Sequence, residues 1–487
     1  MLFNSLPFLV FLAAVLAVRP RLSHRNQNRF LLLASYLFYG WWDWRFLALL
    51  WFSTLLDYGV GRGLGATDAP GRRRALLAAS LTGNLGLLAV FKYFDFFAGS
   101  AAALLARCGL QADLPTLRVA LPVGISFYTF QTLGYALDVY RRRLAPARNL
   151  ADFALYVAFF PQLVAGPIER ASRLLPQVAA PRRVTRRQVE TGLALIVIGY
   201  FRKVAIADTL APFVERAFAA PGDATGASLL AGVYAFSLQI YGDFAGYSDI
   251  ARGTARLLGF ELMENFRAPF LSRSPAEFWQ RWHISLSTWI RDYLFAPLLA
   301  RALRLTERLR LGAESRELAL AYLLAIVPTM ALCGLWHGAR WTFVAWGLLH
   351  GLWLGAHRLA GRGRPPRPWP AAWRGRAGQV ARGAVTFHVV TAAFLLFRAP
   401  DFRVAGAVLA GIARPAAGWG VFPAHVLLAG VVTLALDAAQ ARAGRPDWLA
   451  DLRPVPRLVL AEALLAVTIA AAAFRLYANP PFIYFQF

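Results

Sequence analysis

The chain has 487 residues, of which 58% are hydrophobic and only 16% charged, where a soluble domain carries about 25% charged residues. With a mean hydropathy of +0.47, this composition excludes a large soluble enzyme and predicts an all-α polytopic integral membrane protein. The formal net charge of +26 is almost entirely arginine, Lys92 and Lys203 being the only lysines. The arginines fall in the breaks between apolar segments, at 19–29, 72–74, 141–148, 170–187, 301–310 and 358–382. That is the positive-inside pattern of cytoplasmic loops, so the charge reports topology and no nucleic-acid partner is expected.

Stretches of about 20 mostly apolar residues are long enough to span a bilayer. Candidates run near 2–18, 30–60, 75–98, 119–139, 150–168, 188–210, 228–251, 317–336, 341–357, 383–398, 404–413, 422–440 and 457–474. The first has no Lys or Arg before Arg19. It therefore lacks the charged start of a secretory signal and reads as a retained span with the N-terminus outside. Keeping every arginine-rich loop inside requires two regions to enter and return. One is 30–60, two short passes interrupted at Gly40 to Arg45; the other is 150–168, between two basic loops. Hairpin or re-entrant segments satisfy this where protein buries their non-helical backbone.

Cys108 and Cys333 are far apart and form no CxxC, and no metal-ligand spacing or phosphate-binding glycine loop is present. No metal site or permanently bound cofactor is expected. Cys333 precedes His337 by four residues and reads as a small apolar packing residue. The Pro/Arg-rich stretch 362–376 reads as a cytoplasmic loop, leaving 1–487 as a single transmembrane domain.

Three stretches carry polar groups beside apolar segments. In LQIYGDFAGYSDIARG (238–253), Asp243 and Asp249 lie six residues apart and point in different directions on a helix. They are no acid–base pair, and each needs an arginine, tyrosine or backbone N–H partner. Gly242, Ala245 and Gly246 allow a close helix approach. In LSRSPAEFWQRWHISLSTWIRDYLFAPL (271–298), Ser274, Pro275 and Glu277 form a helix start with a capping box. Phe278, Trp282, Trp289 and Tyr293 then define an aromatic stripe, with Arg281, Thr288, Arg291 and Asp292 between them. The pattern predicts one amphipathic helix at the cytoplasmic interface, with His283 beside the stripe. Finally, Trp336-His337-Gly338 ends an apolar stretch. An ionisable group at membrane depth is costly, and imidazole exchanges protons near neutral pH. Two readings stay open for each histidine: a buried structural group or a chemical one.

Seven blocks, taken in order, resemble the membrane-bound O-acyltransferase family: LPVGISFYTFQTLGYALDVYR (121–141), FFPQLVAGPIER (159–170), YGDFAGYSDIARGTARLLGF (241–260), SRSPAEFWQRWHISLSTWIRDYLF (272–295), CGLWHGARWTFVAWGLLHG (333–351), FRAPDF (397–402) and PFIYFQF (481–487). The resemblance is strongest to the bacterial polysaccharide branch, which includes an alginate O-acetylation membrane subunit and, more distantly, a D-alanyl transporter of teichoic acid synthesis. It implies a ring of about a dozen helices around a central funnel or tunnel, with re-entrant and interfacial helices. The family's invariant histidine falls on His337, and its second, less uniform polar position on His283. One departure is the run Ala296-Pro297-Leu298-Leu299-Ala300-Arg301, where the branch usually has a Pro-Leu-Gly-Gly-Asn-Arg type of turn.

The resemblance further implies an acyltransferase of a bacterial cytoplasmic (inner) membrane. It would take an acyl group, acetyl first, from a cytosolic thioester such as acetyl-CoA or an acyl-carrier protein. The group would go to a hydroxyl of an extracytoplasmic polysaccharide, through a separate periplasmic acetyltransferase. His337 would be the base, a role worth about 100- to 10,000-fold, with His283 steering the donor or orienting His337. Trp336, Asp243 and Trp282 are candidate substrate-binding residues. The Trp336 indole and backbone N–H groups near Gly338 are candidate oxyanion donors. D-alanyl transfer is an alternative within the class. A transporter using Asp243 and Asp249, or a non-catalytic scaffold of a secretion complex, are alternatives outside it.

Overall fold

The computed structural model describes residues 1–111, 113–117, 119–309, 314–360, 375–413 and 420–473. The terminal block 481–487 and most of the Pro/Arg-rich stretch 362–376 lie outside the described residues. Among those described, the regular structure is helical, with no strand. Five helices are long and apolar enough to cross a membrane: Pro70–Arg107, Arg316–His337, Arg376–Arg398, Ala424–Ala443 and Pro454–Ala473. The other apolar segments form helices that are shorter or more polar. The protein is thus a multi-pass membrane protein, as its composition predicts.

The chain divides into two compact units. The first comprises Met1–Ile196 and Ile250–Met263. Its 30–60 region is indeed two helices, His24–Gly40 and Leu47–Gly65. Asp43 ends the interruption: its carboxylate accepts from the backbone N–H of Arg45 at 2.9 Å and starts a single helical turn. The 150–168 region also breaks. Asn149 caps Leu150–Ala158, the backbone turns at Phe159, and a four-residue helix, Phe160–Leu163, follows. Nine helical residues rise about 14 Å, half of a bilayer core. The polar backbone around the break is satisfied inside the protein. The Tyr156 hydroxyl donates to the carbonyls of Gln131 and Glu169 at 3.1 and 3.2 Å, and the Gln162 amide donates to the carbonyl of Tyr156 at 2.6 Å.

The second unit comprises Val197–Asp249 and Glu264–Phe487. Its core is a hairpin of Glu314–His337 and Trp341–Ala360. Small residues set the spacing of the two helices. A Cβ on Gly347 would stand 2.1 Å from the carbonyl oxygen of Met330, and one on Gly334 2.0 Å from that of Phe343. Backbone therefore meets backbone, which only glycine permits. The same device operates where the sequence places small residues in 238–253. A Cβ on Gly246 would lie 2.6 Å from the carbonyl oxygen of Gly199.

The expected single amphipathic helix over 275–298 is instead divided. Ser274 caps it, its hydroxyl accepting from the Glu277 N–H at 3.1 Å, with Pro275 in the first turn. The Glu277 carboxylate returns one residue further out than a capping box places it, accepting from the Arg273 N–H at 2.8 Å. The helix stops at Arg281, and His283 adopts the left-handed conformation at φ 43° and ψ 53°. Helix resumes over Ile284–Ile290, loosens into a π turn at Arg291–Phe295, and continues over Ala296–Leu309. The stripe is consequently not one surface facing lipid headgroups: Trp282 and Trp289 are buried. Amphipathicity persists in Ala296–Leu309, which buries Ala302 and Thr306 one turn apart and leaves Arg301, Arg304 and Arg308 exposed.

Candidate active site

The break at His283 is held from outside by Asn265. The Ile284 N–H donates to the Asn265 carbonyl at 2.9 Å, and the Arg267 N–H donates to the Arg281 carbonyl at 3.0 Å, so the 265–267 segment bonds both sides of the break. The Asn265 side-chain oxygen accepts from the Ser285 hydroxyl at 2.6 Å, while its amide donates to the Ser248 hydroxyl at 3.1 Å. A non-glycine residue in the left-handed region costs of order 1–3 kcal/mol and persists where its surroundings over-determine it. These bonds supply that constraint. The result drives the His283 ring inward, fully buried, with the edge of Phe244 at 4.6 Å.

His337 reaches the same place from the last turn of Glu314–His337. Its ring lies 6.4 Å from that of His283, with Trp336 4.9 Å from one and 6.2 Å from the other. Trp346 and Phe397 close the box around it at 5.4 and 5.2 Å, both edge-on. Gly338 is needed for this packing, since a Cβ there would stand 2.3 Å from the Phe343 ring. Its N–H is already engaged, to the Gly334 carbonyl at 3.4 Å.

A cavity of about 300 Å³ lies among the helices around the pair. It runs from the exposed Gln280 and Arg291 past Trp279 and Ile284 to the buried Met330 and Cys333. Ile284 follows His283 directly, and Cys333 sits one turn before His337 on the same helix face. The cavity is thus walled by a chain neighbour of each histidine, while neither imidazole is among its lining residues. Its inner wall is apolar, which favours a long, weakly polar ligand arm over a hydrated ion.

The structure brings together His283, His337 and Trp336, while Trp282 and Asp243 make other contacts. Trp282 belongs to a neighbouring aromatic cluster, stacked on Phe278 at 5.4 Å and edge-on to Phe266 at 5.0 Å. Asp243 is buried with its carboxylate on the Lys203 ammonium at 2.6 Å, and Asp208 lies 2.9 Å from the same group. Asp249 pairs with Arg202 at 2.6 Å. Both cations come from the π turn Phe201–Ala207, which aims two consecutive basic side chains inward. Among the described residues no group of three His, Cys, Asp or Glu could hold a metal ion.

Two residues at the site were not singled out from the sequence. Trp346 and His350 are one turn apart on Trp341–Ala360, both buried, with ring centroids 4.8 Å apart. Their four-residue spacing on an apolar helix was the available signal. Asn265 carried none, because a loop asparagine is ordinarily a turn residue.

Fold and site together define a helical membrane protein with a buried, imidazole-containing centre and a mainly apolar cavity walled by its chain neighbours. Residues 143–396 match the model of the membrane-bound O-acyltransferase family, and the chain belongs to that family and is an O-acyltransferase. It is 36% identical to the "Probable alginate O-acetylase AlgI" of Pseudomonas putida over 100% of both chains. It is also 32% identical to the peptidoglycan O-acetyltransferase of Helicobacter pylori, over 78% of this chain and 73% of that one. A teichoic acid D-alanyltransferase of Streptococcus thermophilus is 29% identical over 56% of this chain and 68% of its own length.

Proposed function

We propose that this protein moves an acetyl group from a cytosolic thioester, acetyl-CoA or an acetylated carrier protein, toward a hydroxyl of an extracytoplasmic polysaccharide. His337 is the general base in this reading. A hydroxyl oxygen attacks the thioester carbonyl carbon as His337 takes its proton. Collapse of the tetrahedral intermediate breaks the C–S bond, and the imidazolium returns the proton to the departing sulfur. The observation that carries the reading is the cavity of about 300 Å³ lined by Ile284, the residue after His283, and by Cys333, one turn before His337. It gives a thioester arm a place to lie with its carbonyl near an imidazole, and Arg291 at its exposed end suits an anionic donor.

Acetyl is favoured over D-alanyl because similarity to the acetylating relatives runs over more of the chain and at higher identity. Their printed substrates make alginate or peptidoglycan the first acceptors to test. The arginine-rich loops favour an inner-membrane protein with its N-terminus outside and the donor entering from the cytoplasm. Residues 1–487 would act as one membrane domain, and a separate periplasmic acetyltransferase would complete delivery. Pairing of Asp243 with Lys203 and of Asp249 with Arg202 weighs against a transporter that needs those carboxylates for an ion.

The test is His337→Ala in cells making an acetylated envelope polymer. Ester content of the polymer should fall to background while the variant remains in the membrane at wild-type level. Full acetylation by that variant would refute the base assignment.

A further inference from the structure

We propose that the indole N–H of Trp346 is the hydrogen-bond donor that stabilises the oxyanion formed during acyl transfer at His337. The inference rests on His337 being the base. When the hydroxyl adds to the thioester carbonyl, the new C–O bond places negative charge on the former carbonyl oxygen. A fixed donor in a water-poor setting stabilises that charge without having to reorganise. Trp346 meets each condition. It is 1% exposed, and its Nε1–H has no hydrogen-bond partner. A buried N–H left unmade is costly, and in a folded protein such a group calls for a reason.

The orphan lies beside the proposed base. The Trp346 ring stands edge-on to His337 at 5.4 Å and 89°. Phe397 at 5.1 Å, His350 at 4.8 Å and Trp279 at 5.8 Å surround it and fix its orientation. The N–H is not engaged by His350 despite that contact, since neither His350 nitrogen has a partner. Trp279 is itself a wall of the cavity and its ring lies 5.8 Å from that of Trp346, so the indole is one side chain removed from the proposed donor arm. The competing backbone donor, Gly338, already bonds Gly334.

The experiment replaces Trp346 in the full-length protein with β-(3-benzothienyl)alanine, which keeps the shape of the indole and substitutes sulfur for N–H. Trp346→Phe serves as a second variant, and both are checked for an unchanged melting temperature. Inside-out membrane vesicles of the producing cells, enclosing mannuronate oligosaccharide together with the periplasmic acetyltransferase, receive acetyl-CoA outside, with His337→Ala measured alongside. The expected result is a fall in kcat of about 100- to 1,000-fold with the KM for acetyl-CoA unchanged. A benzothienyl variant with wild-type kcat, while His337→Ala is inactive, overturns the donor assignment alone. Activity retained by His337→Ala overturns the base reading and this inference with it.

Discussion

His283 and His337 face one another with ring centroids 6.4 Å apart and planes inclined by 57°, although 54 positions separate them in the chain. One ring arrives from a regular helix end, the other from a left-handed residue at a helix break. The second arrangement has a backbone cost, and it is the one that substitutions can separate from the chemistry.

At position 283 the backbone therefore selects among replacements independently of what the ring does. Asparagine tolerates φ near 43°, whereas a β-branched residue does not. His283→Asn should melt above His283→Val by the equivalent of about 1–3 kcal/mol. Both should lose acetyl transfer if the ring steers the donor or orients His337. Equal melting temperatures in detergent would show that the left-handed backbone is not being enforced.

Asn265 should matter without touching substrate. Its side chain joins Ser285 to Ser248 at 2.6 and 3.1 Å. Asn265→Leu removes those bonds and leaves two hydroxyls buried, at a cost of about 1–3 kcal/mol. The break at His283 would then relax, so kcat should fall more than the KM for the thioester. Kinetics in the same inside-out vesicles together with a melting curve check both halves. Wild-type kcat in a destabilised protein would reduce Asn265 to a structural role.

Much of this fold was legible in the sequence because hydropathy and arginine placement act over whole segments. Breaks in 30–60 and 150–168 were expected from arginine placement, and the helices Leu47–Gly65 and Leu150–Ala158 are bounded by such breaks. His337 stood out through its place in the Trp-His-Gly block of the family resemblance, since the residues alone left a structural and a chemical reading open, and His350 in the same apolar stretch drew no notice. The helix break at Trp282 and His283 was not. Residues 275–298 have good helical periodicity, and what stops the helix is a set of hydrogen bonds from Asn265 and Arg267, which local pattern does not contain. The unpartnered N–H of Trp346 was equally hidden, since only packing decides whether an indole finds an acceptor.

Glycines in this chain divide into those at contacts and those in open space, and the two groups predict opposite effects. At Gly347 a Cβ would sit 2.1 Å from a backbone carbonyl oxygen. Gly347→Ala should therefore force the His337 hairpin apart, costing about 1–3 kcal/mol or more and most of the activity. At Gly86, inside Pro70–Leu88, a Cβ meets nothing within 4 Å. Gly86→Ala should raise stability by up to about 1 kcal/mol through helix propensity. Thermal melting of the two single variants in one detergent tests the contrast, which fails if both move in the same direction.

The buried ion cluster provides the sharpest test of whether its charges are structural. Lys203 serves two carboxylates at once, Asp243 and Asp208, all three side chains being at most 6% exposed. Truncating it as Lys203→Met leaves two buried carboxylates without their ammonium, and removing one partner of a buried pair typically costs about 3–5 kcal/mol. Adding Asp208→Asn and Asp243→Asn removes the stranded charges, so the triple variant should recover a large part of that loss. Acetyl transfer should recover with it, since neither carboxylate takes part in the proposed chemistry at His337. A stable triple variant with no activity would instead place one of these charges on the reaction path. That outcome would return Asp243 to the list of groups that touch substrate, because Phe244, the next residue in the chain, already contacts His283 at 4.6 Å.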